Sequence, residues 1–154
     1  MESEYLGEGS YGCVIKPPIK CKNRKKIKNS NDTILVGKIF AKEATFQKEL
    51  KANKIAAKID KTNNKLLTAN TYCKISKHDL NKSNRTNLCE FKHNEHKTYY
   101  QLNMPYGGTT LKDYIKNNNI RNINDFLKLT LNLFESIYLL EKHNMCHQDI
   151  KPDN

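Results

Sequence analysis

A cluster of glycines next to the N-terminus constrains the possible fold of this chain more than any other feature of its sequence. The segment is Gly7-Glu8-Gly9-Ser10-Tyr11-Gly12-Cys13-Val14, and its glycines allow the backbone to approach a phosphate group closely. In a dinucleotide-binding fold, such a loop follows a strand and opens a helix. Here only six residues precede Gly7, and Pro17-Pro18 follow soon after Val14, so a helix does not start comfortably. The cluster is therefore predicted to join two short strands, one at residues 5–6 and one at residues 14–15.

The rest of the sequence predicts an α+β protein. An apolar, β-branched run at residues 34–40 and a second run at residues 99–104 have the composition of strands. Helices are predicted at residues 41–59, 111–116 and 123–143. Residues 60–97 are polar and poorly periodic, with weak strand character only at residues 66–67 and 72–75.

The helix predicted at residues 123–143 has two apolar stripes. One stripe consists of Phe126, Leu129, Leu133, Ile137 and Leu140, and the other of Leu127, Leu131, Phe134 and Tyr138. An apolar arc this wide is typical of a helix that packs on more than one side. Little of the sequence follows this helix, so we expect an exposed apolar patch that a further C-terminal segment or a partner chain would cover.

The chain is strongly basic, with a formal net charge of +11. A basic domain attracts phosphate backbones, which makes an RNA-binding module one hypothesis. However, the lysines concentrate in asparagine-rich stretches at residues 20–28, 51–65 and 74–97, without a nucleic-acid motif or interleaved aromatic residues. We therefore interpret most of the charge as solvated surface, and we disfavour nucleic acid as a partner.

The cysteines and the N-terminus predict an intracellular protein. Five cysteines, an odd number without close pairing, suit a reducing compartment, and no disulfide is predicted. A zinc site built from Cys73, Cys89, His93 and His96 is disfavoured because the two cysteines are far apart and no CxxC is present. The first residues, MESEYLGEG, have neither the basic nor the apolar region typical of a signal peptide, and no apolar run approaches the ~20 residues that span a bilayer. A cytoplasmic location without membrane association is expected.

Two further segments contain residues with potential chemistry. Lys38 is the single charge in the strand predicted at residues 34–40, and an ammonium group among apolar residues is costly to bury unless it meets an anion. Directly after the long helix comes the octapeptide His147-Gln148-Asp149-Ile150-Lys151-Pro152-Asp153-Asn154. It combines carboxylate, ammonium and amide groups within a few residues.

Together, the three segments resemble the first part of a eukaryotic-type serine/threonine protein kinase domain. The glycine segment matches the family pattern GxGxxGxV through Val14, and the octapeptide is similar to the catalytic loop HRDLKxxN. Val36 and Gly37 depart from the usual Ala and Ile next to the strand lysine, and Gln148 replaces the usual Arg. The composition and the polar insertions also resemble kinases of large DNA viruses. The resemblance implies an N-lobe of antiparallel sheet and one helix at residues 1–102, a hinge at 103–110 and the start of a C-lobe at 111–154.

The resemblance implies that the N-terminal part binds ATP. Lys38 would contact the α- and β-phosphates and be held by a helix carboxylate, for which we choose Glu49; Glu43 is the alternative, but it can fall in the connection. The other implied ATP-binding residues are Leu6, Gly7, Gly9, Gly12, Val14, Val36, Leu102 as gatekeeper, Asn103 and Met104. Pro105 then falls where many kinases donate a backbone N–H to adenine, and proline has none. Either one adenine hydrogen bond is missing or the register differs by a residue or two.

The resemblance also implies roles for the octapeptide. Asp149 would accept or orient the proton of a protein hydroxyl group, Lys151 would neutralise charge on the γ-phosphoryl group, and Asn154 would hold Mg²⁺. Lys151, two residues after Asp149, is typical of the serine/threonine class. Because Gln148 replaces arginine, control by a phosphorylated activation loop is not expected. The sequence does not indicate which protein is the substrate.

The DFG segment, which supplies the main magnesium ligand in kinases, does not occur in these 154 residues. We therefore expect this chain alone not to phosphorylate protein at a meaningful rate. The alternative hypothesis is a non-catalytic kinase fragment that binds nucleotide or a partner. The basic RNA-binding module is the third.

Overall fold

The computed structural model describes residues 4–9, 12–28, 34–62, 64–82, 89, 98–117 and 120–153. The protein is α+β, as predicted. The strands within these residues are β1 (Glu4–Gly9), β2 (Gly12–Lys16), β3 (Lys25–Lys26), β4 (Leu35–Phe40), β5 (Thr71–Ser76) and β6 (Thr98–Pro105). The helices are α1 (Glu43–Ile59), α2 (Lys77–Asn81), α3 (Leu111–Lys116) and α4 (Ile123–Glu141).

The six strands form one antiparallel sheet in the order β1-β2-β4-β6-β5-β3. β1 and β2 pair as a hairpin, with Gly7 and Gly9 on β1 and Gly12 on β2, so the prediction of two short strands at residues 5–6 and 14–15 is confirmed. β4 lies in the middle of the sheet, between β2 and β6. Its position explains why the run at residues 34–40 is almost entirely apolar, since a central strand is covered on both faces.

Both faces of the sheet are buried, and residues along each strand alternate between them. On β6, Tyr100, Leu102 and Met104 lie on the face that packs against α1. The cluster on this face comprises Phe40, Phe46, Leu50, Ala69, Tyr100 and Leu102. The cluster on the opposite face comprises Cys13, Ile15, Ile19, Ile39, Cys73, Ile75, Leu80, Cys89 and Tyr99.

Two disulfide bonds join Cys13 to Cys89 and Cys21 to Cys73. The prediction that no cysteine is paired is therefore wrong. The bonded residues are 76 and 52 positions apart in the sequence, so the tertiary fold brings them together. Cys73 and Cys89, the two cysteines of the disfavoured zinc set, are thus each bonded to another cysteine, and its His93 and His96 lie outside the described residues. Cys146 is free and exposed.

Most predicted elements are present, with shifted ends. The predicted long helix stops at Glu141 instead of residue 143, because Asn144 adopts a left-handed conformation (φ 54°) and Met145 N–H bonds to Leu140 O. Residues 66–67 do not form the weakly predicted strand. Instead, the backbone N–H groups of Lys65 and Leu66 both donate to the Asp60 carboxylate, at 2.7 Å each.

The short helix α2 was not predicted, although its N-terminus has a recognisable signature. Ser76 caps it: its hydroxyl oxygen accepts from Asp79 N–H at 3.1 Å and its hydroxyl donates to the Asp79 carboxylate at 2.7 Å. A serine followed three residues later by an acid is a common start of a helix. Its five residues are too few to show helical periodicity.

The chain divides into two compact units, Met1–Lys58 with Leu67–Tyr106, and Ile59–Leu66 with Gly107–Asn154. The first contains the sheet and α1, and the second contains α3 and α4. Within the second unit, the loop that Asp60 organises is attached to α4. The Ser136 hydroxyl donates to Lys65 O at 3.1 Å, and the Lys65 ammonium group pairs with Glu135.

Helix α4 buries little of its apolar surface within the described part of the chain. Leu127, Leu131, Phe134 and Tyr138, which form one of its predicted stripes, are 54–63% exposed. Among all helices described, none has the length and apolar content needed to cross a membrane.

Candidate nucleotide-binding site

Lys38 and Glu49 form an ion pair at the centre of the first unit. Lys38 lies on β4 and Glu49 lies in the second turn of α1, and Lys38 Nζ is 2.8 Å from Glu49 Oε1. Both side chains remain partly exposed, at 25% and 31%. An ammonium group has three N–H donors, so this pair orients Lys38 while leaving it able to bind a second anion.

Glu43, the alternative partner of Lys38, has a different role. It begins α1, and its carboxylate accepts a hydrogen bond from the Tyr100 hydroxyl. This hydrogen bond, together with burial, raises the pKa of Tyr100 to about 12, and the same bond lowers the pKa of Glu43. The structure therefore assigns the two carboxylates of α1 to two separate partners.

Apolar residues surround Lys38 on the same face of the sheet. Lys38 is paired in register with Val14 on β2 and with Leu102 on β6, and Val36 is paired with Met104. Directly paired residues on neighbouring strands point to the same face. The register thus places Val14, Val36, Leu102 and Met104 near Lys38 on the face of the sheet that also meets α1.

The three glycines of the loop differ in what the fold requires of them. Gly7 has φ 150° and lies at an irregularity in the β1–β2 pairing, next to the half-buried Leu6. A Cβ at Gly12 would come within 2.6 Å of the carbonyl oxygen of Ile39. A Cβ at Gly9 would have no atom within 4 Å and its φ is not positive, so packing does not explain Gly9. Ser10 and Tyr11 lie outside the described residues.

Asn103 lies on the opposite face of the sheet from Lys38. Its side chain is buried, accepts from Gln101 Nε2 at 2.7 Å and donates to the Thr71 hydroxyl at 2.8 Å. Its carbonyl oxygen accepts from Asn70 N–H at 2.8 Å. The structure therefore separates Asn103 from the group formed by Val14, Lys38 and Leu102.

β6 continues further than the predicted hinge boundary. Pro105 is its last residue and is paired with Leu35, and Tyr106 N–H donates to Ile34 O at 3.0 Å. The Tyr106 ring lies under the Lys16 ammonium group, 4.3 Å from the ring centroid. The exposed Gly107 and Gly108 follow, the latter with φ 84°.

Asp149 and Lys151 belong to the second unit, in the loop after α4. Lys151 Nζ lies 3.2 Å from Asp149 Oδ1, and the two side chains are 50% and 63% exposed. The loop is fixed to α3: Lys112 N–H donates to Pro152 O at 2.8 Å, and its ammonium group contacts Asp153 at 2.7 Å. Gln148 adopts the left-handed conformation, φ 65°. Asn154 lies outside the described residues.

A scan against protein-family models finds no match for this chain, and a search of curated proteins finds none either. Interpretation of the site therefore depends on its motifs and geometry.

Proposed function

We propose that this chain is part of an ATP-dependent serine/threonine protein kinase, with residues 4–106 forming a kinase-like N-lobe. The Lys38–Glu49 ion pair is the observation that supports this most directly. Either residue alone is common on a protein surface. A strand lysine held by a helix carboxylate, next to a glycine hairpin, is the arrangement that kinases use to position ATP phosphates.

The proposed position of the phosphates follows from the location of the free donors. Lys38 keeps N–H groups that Glu49 does not use, and its exposed fraction makes it accessible to an anion. Gly9 lies in the β1–β2 hairpin without a packing reason to lack a side chain. We assign it to the close approach of the backbone to a phosphate.

The proposed position of the adenine ring lies beside Val14, Val36 and Met104. Their side chains share the face of Lys38 and provide an apolar surface. Met104 is the residue paired with Val36, and the sheet ends at Pro105, so we place the adenine edge against the backbone that follows Met104. This placement removes the difficulty that Pro105 has no N–H, because Gly107 provides one two residues later.

In the proposed reaction, the serine or threonine hydroxyl oxygen of the substrate forms a bond to the γ-phosphorus while the bond from that phosphorus to the β-phosphate oxygen breaks. Asp149 accepts or orients the hydroxyl proton, and Lys151 neutralises charge on the transferred group. Magnesium, when bound, would neutralise phosphate charge, and Asn154 would offer it an amide oxygen. Within the described residues, no three acidic, histidine or cysteine side chains converge.

A cytoplasmic location is part of the proposal, because ATP is abundant there. The two disulfides weigh against it, since thiols stay reduced in most cytoplasms.

Titration with a fluorescent ATP analogue tests nucleotide binding. Lys38→Met should weaken binding by about tenfold or more, because it removes a charge-assisted hydrogen bond. Lys48→Met, on the exposed side of α1, is the matched control and should bind like the wild type. Equal affinity of Lys38→Met and wild type would contradict the proposal.

A separate measurement distinguishes transfer from binding alone. Radiolabelled γ-phosphate is followed into a mixture of serine- and threonine-containing peptides, with Asp149→Asn as the comparison. Because these 154 residues lack the DFG segment, binding that requires Lys38 without any transfer is the expected result, and it also fits a non-catalytic nucleotide-binding fragment. Transfer that is lost in Asp149→Asn would contradict the expectation that this chain alone is inactive, while supporting the proposed role of Asp149.

A further inference from the structure

Three lysines project from one side of α1. Lys51, Lys54 and Lys58 follow each other at intervals of three and four residues, and all are exposed. Residues at these intervals are neighbours on a helix, and like charges there repel each other. The row therefore costs the isolated helix some stability, which a bound anionic group would recover.

The acidic residues of α1 do not neutralise this row. The helix has two carboxylates, and Glu49 is paired with Lys38 while Glu43 accepts from Tyr100. Both partners belong to the sheet. The row is therefore a basic surface without an acidic residue of its own helix to offset it.

The basic surface continues onto the edge of the sheet. Lys54 Nζ lies 5.3 Å from the centroid of the Tyr72 ring on β5. Tyr72 is paired in register with Lys25 on β3, and Lys25 and Lys26 are both exposed. Because paired residues share a face of the sheet, Lys25 adds positive charge on the face of the row, whereas Lys26, paired with Thr71, points to the other face.

An apolar depression of about 230 Å³ interrupts the lysine row. It is lined by Gln47, Leu50, Lys51, Lys54, Ile55 and Lys58. Leu50 is buried, whereas Ile55 is 39% exposed and accessible from solvent. The volume is smaller than the ~300–1,000 Å³ typical of small-molecule pockets. It suits one apolar side chain of a larger partner.

We propose that this face of α1 docks an acidic segment of another protein, which places one apolar side chain against Ile55 and its carboxylates beside Lys51, Lys54 and Lys58. Nucleic acid fits less well, because base stacking needs an open aromatic face and Lys54 lies over the Tyr72 ring. The proposal does not depend on nucleotide binding, so the two can fail separately.

Fluorescence anisotropy with three labelled probes tests this surface. The first probe is a peptide of Glu and Asp residues around one Phe, the second has Ser in place of Phe, and the third is single-stranded poly(U). The Phe peptide should bind the wild-type chain most tightly. Changing Lys51, Lys54 and Lys58 together to Glu should weaken binding of the Phe peptide by about tenfold or more. Each exposed ion pair contributes a little to the affinity, and the triple change removes all three.

Two further variants test whether binding depends on this face of α1 rather than on net charge. The triple change of Lys61, Lys116 and Lys128 to Glu, at exposed positions of the second unit, alters the net charge equally and should leave affinity nearly unchanged. The Ile55→Ser variant should bind the Phe peptide only as tightly as the wild-type chain binds the Ser peptide. Circular dichroism checks that all variants fold.

Three results would overturn the proposal. In the first, the two triple-Glu variants lose affinity for the Phe peptide equally, which would show that only the net charge of the chain matters. In another, the wild-type chain binds neither peptide or binds both with the same affinity. In the third, poly(U) binds more tightly than the Phe peptide and depends on the same lysines, which makes the face a nucleic-acid surface.

Discussion

Gly12 lies so close to Ile39 on the neighbouring strand that a Cβ at position 12 would come within 2.6 Å of the Ile39 carbonyl oxygen. Backbone cannot move away as a flexible side chain can. The glycine is therefore required by the contact between β2 and β4, whether or not a ligand binds.

This contact predicts opposite effects for two glycines of one loop. Gly12→Ala should lower the free energy of unfolding by about 1–3 kcal/mol, as overpacking does. Gly9→Ala should leave it unchanged or raise it by about 0.4–1 kcal/mol, because the new methyl group meets no atom. Urea denaturation measures both. If the Gly9 backbone contacts a phosphate as proposed, Gly9→Ala should also lower the affinity of the chain for ATP. A stable Gly12→Ala variant would contradict the packing explanation.

Substitutions of the two carboxylates of α1 should have different effects on ATP binding. Glu49→Gln removes the charge that orients Lys38 and should weaken ATP binding by about tenfold. Glu43→Gln changes the same charge six residues earlier on the helix and should leave ATP binding unchanged. Since the Lys38–Glu49 pair is partly exposed, Glu49→Gln should not alter the free energy of unfolding by more than about 1 kcal/mol. Equal losses of affinity in both variants would argue against the assignment of Glu49.

Tyr100 should titrate above the usual range of a phenol. Its pKa is raised from 10.0 to about 12, so its hydrogen-bonded neutral form stabilises the fold fully below pH 10. That contribution should be lost as the pH rises from 10 to about 12. The ultraviolet absorbance of phenolate should therefore show a transition near pH 12 that is absent in Tyr100→Phe.

Two variants test the cause of this transition. Glu43→Gln should move it to lower pH, because the carboxylate is the main cause of the raised pKa. Tyr114→Phe, at an exposed position of α3, should leave it in place. A late transition that persists in Tyr100→Phe would assign it to another tyrosine.

The disulfides predict the number of free thiols. Alkylation of the unreduced, denatured chain followed by mass spectrometry should modify one cysteine, Cys146, and reduction beforehand should expose all five. Cys146→Ser should lower the first number to zero. Because the two bonds close loops of 76 and 52 residues, reduction should also lower the free energy of unfolding, by about 2–4 kcal/mol per bond. Five alkylated cysteines without reduction would show that the pairs are not formed.

The sequence predicted the elements with strong local signals. The glycine hairpin, the strand with Lys38 and the helix with Glu49 each have a regular pattern or a characteristic loop. Periodicity also predicted α4 to within two residues at its C-terminus, where Asn144 takes the left-handed conformation. Such features depend on residues near each other in the chain.

Features that depend on distant residues could not be predicted in this way. Cys13 and Cys89 have no sequence relation that suggests a bond. Asn103 could be assigned to the hinge from its place in the motif, but its face of the sheet follows from its pairing with Thr71 and Gly37. Similarly, Asp60 looks like a loop residue, yet it is 5% exposed and accepts three backbone N–H groups.

The buried amide of Gln101 occupies the space that a side chain at position 37 would need. Gln101 joins Ile19 through two hydrogen bonds of 2.9 and 3.1 Å, and a Cβ at Gly37 would come within 2.8 Å of its Oε1. A substitution at either position alone should therefore lower the stability of the fold. In a lineage of related sequences, a larger residue at position 37 would thus be accompanied by a smaller one at position 101, and the two would be inherited as a pair.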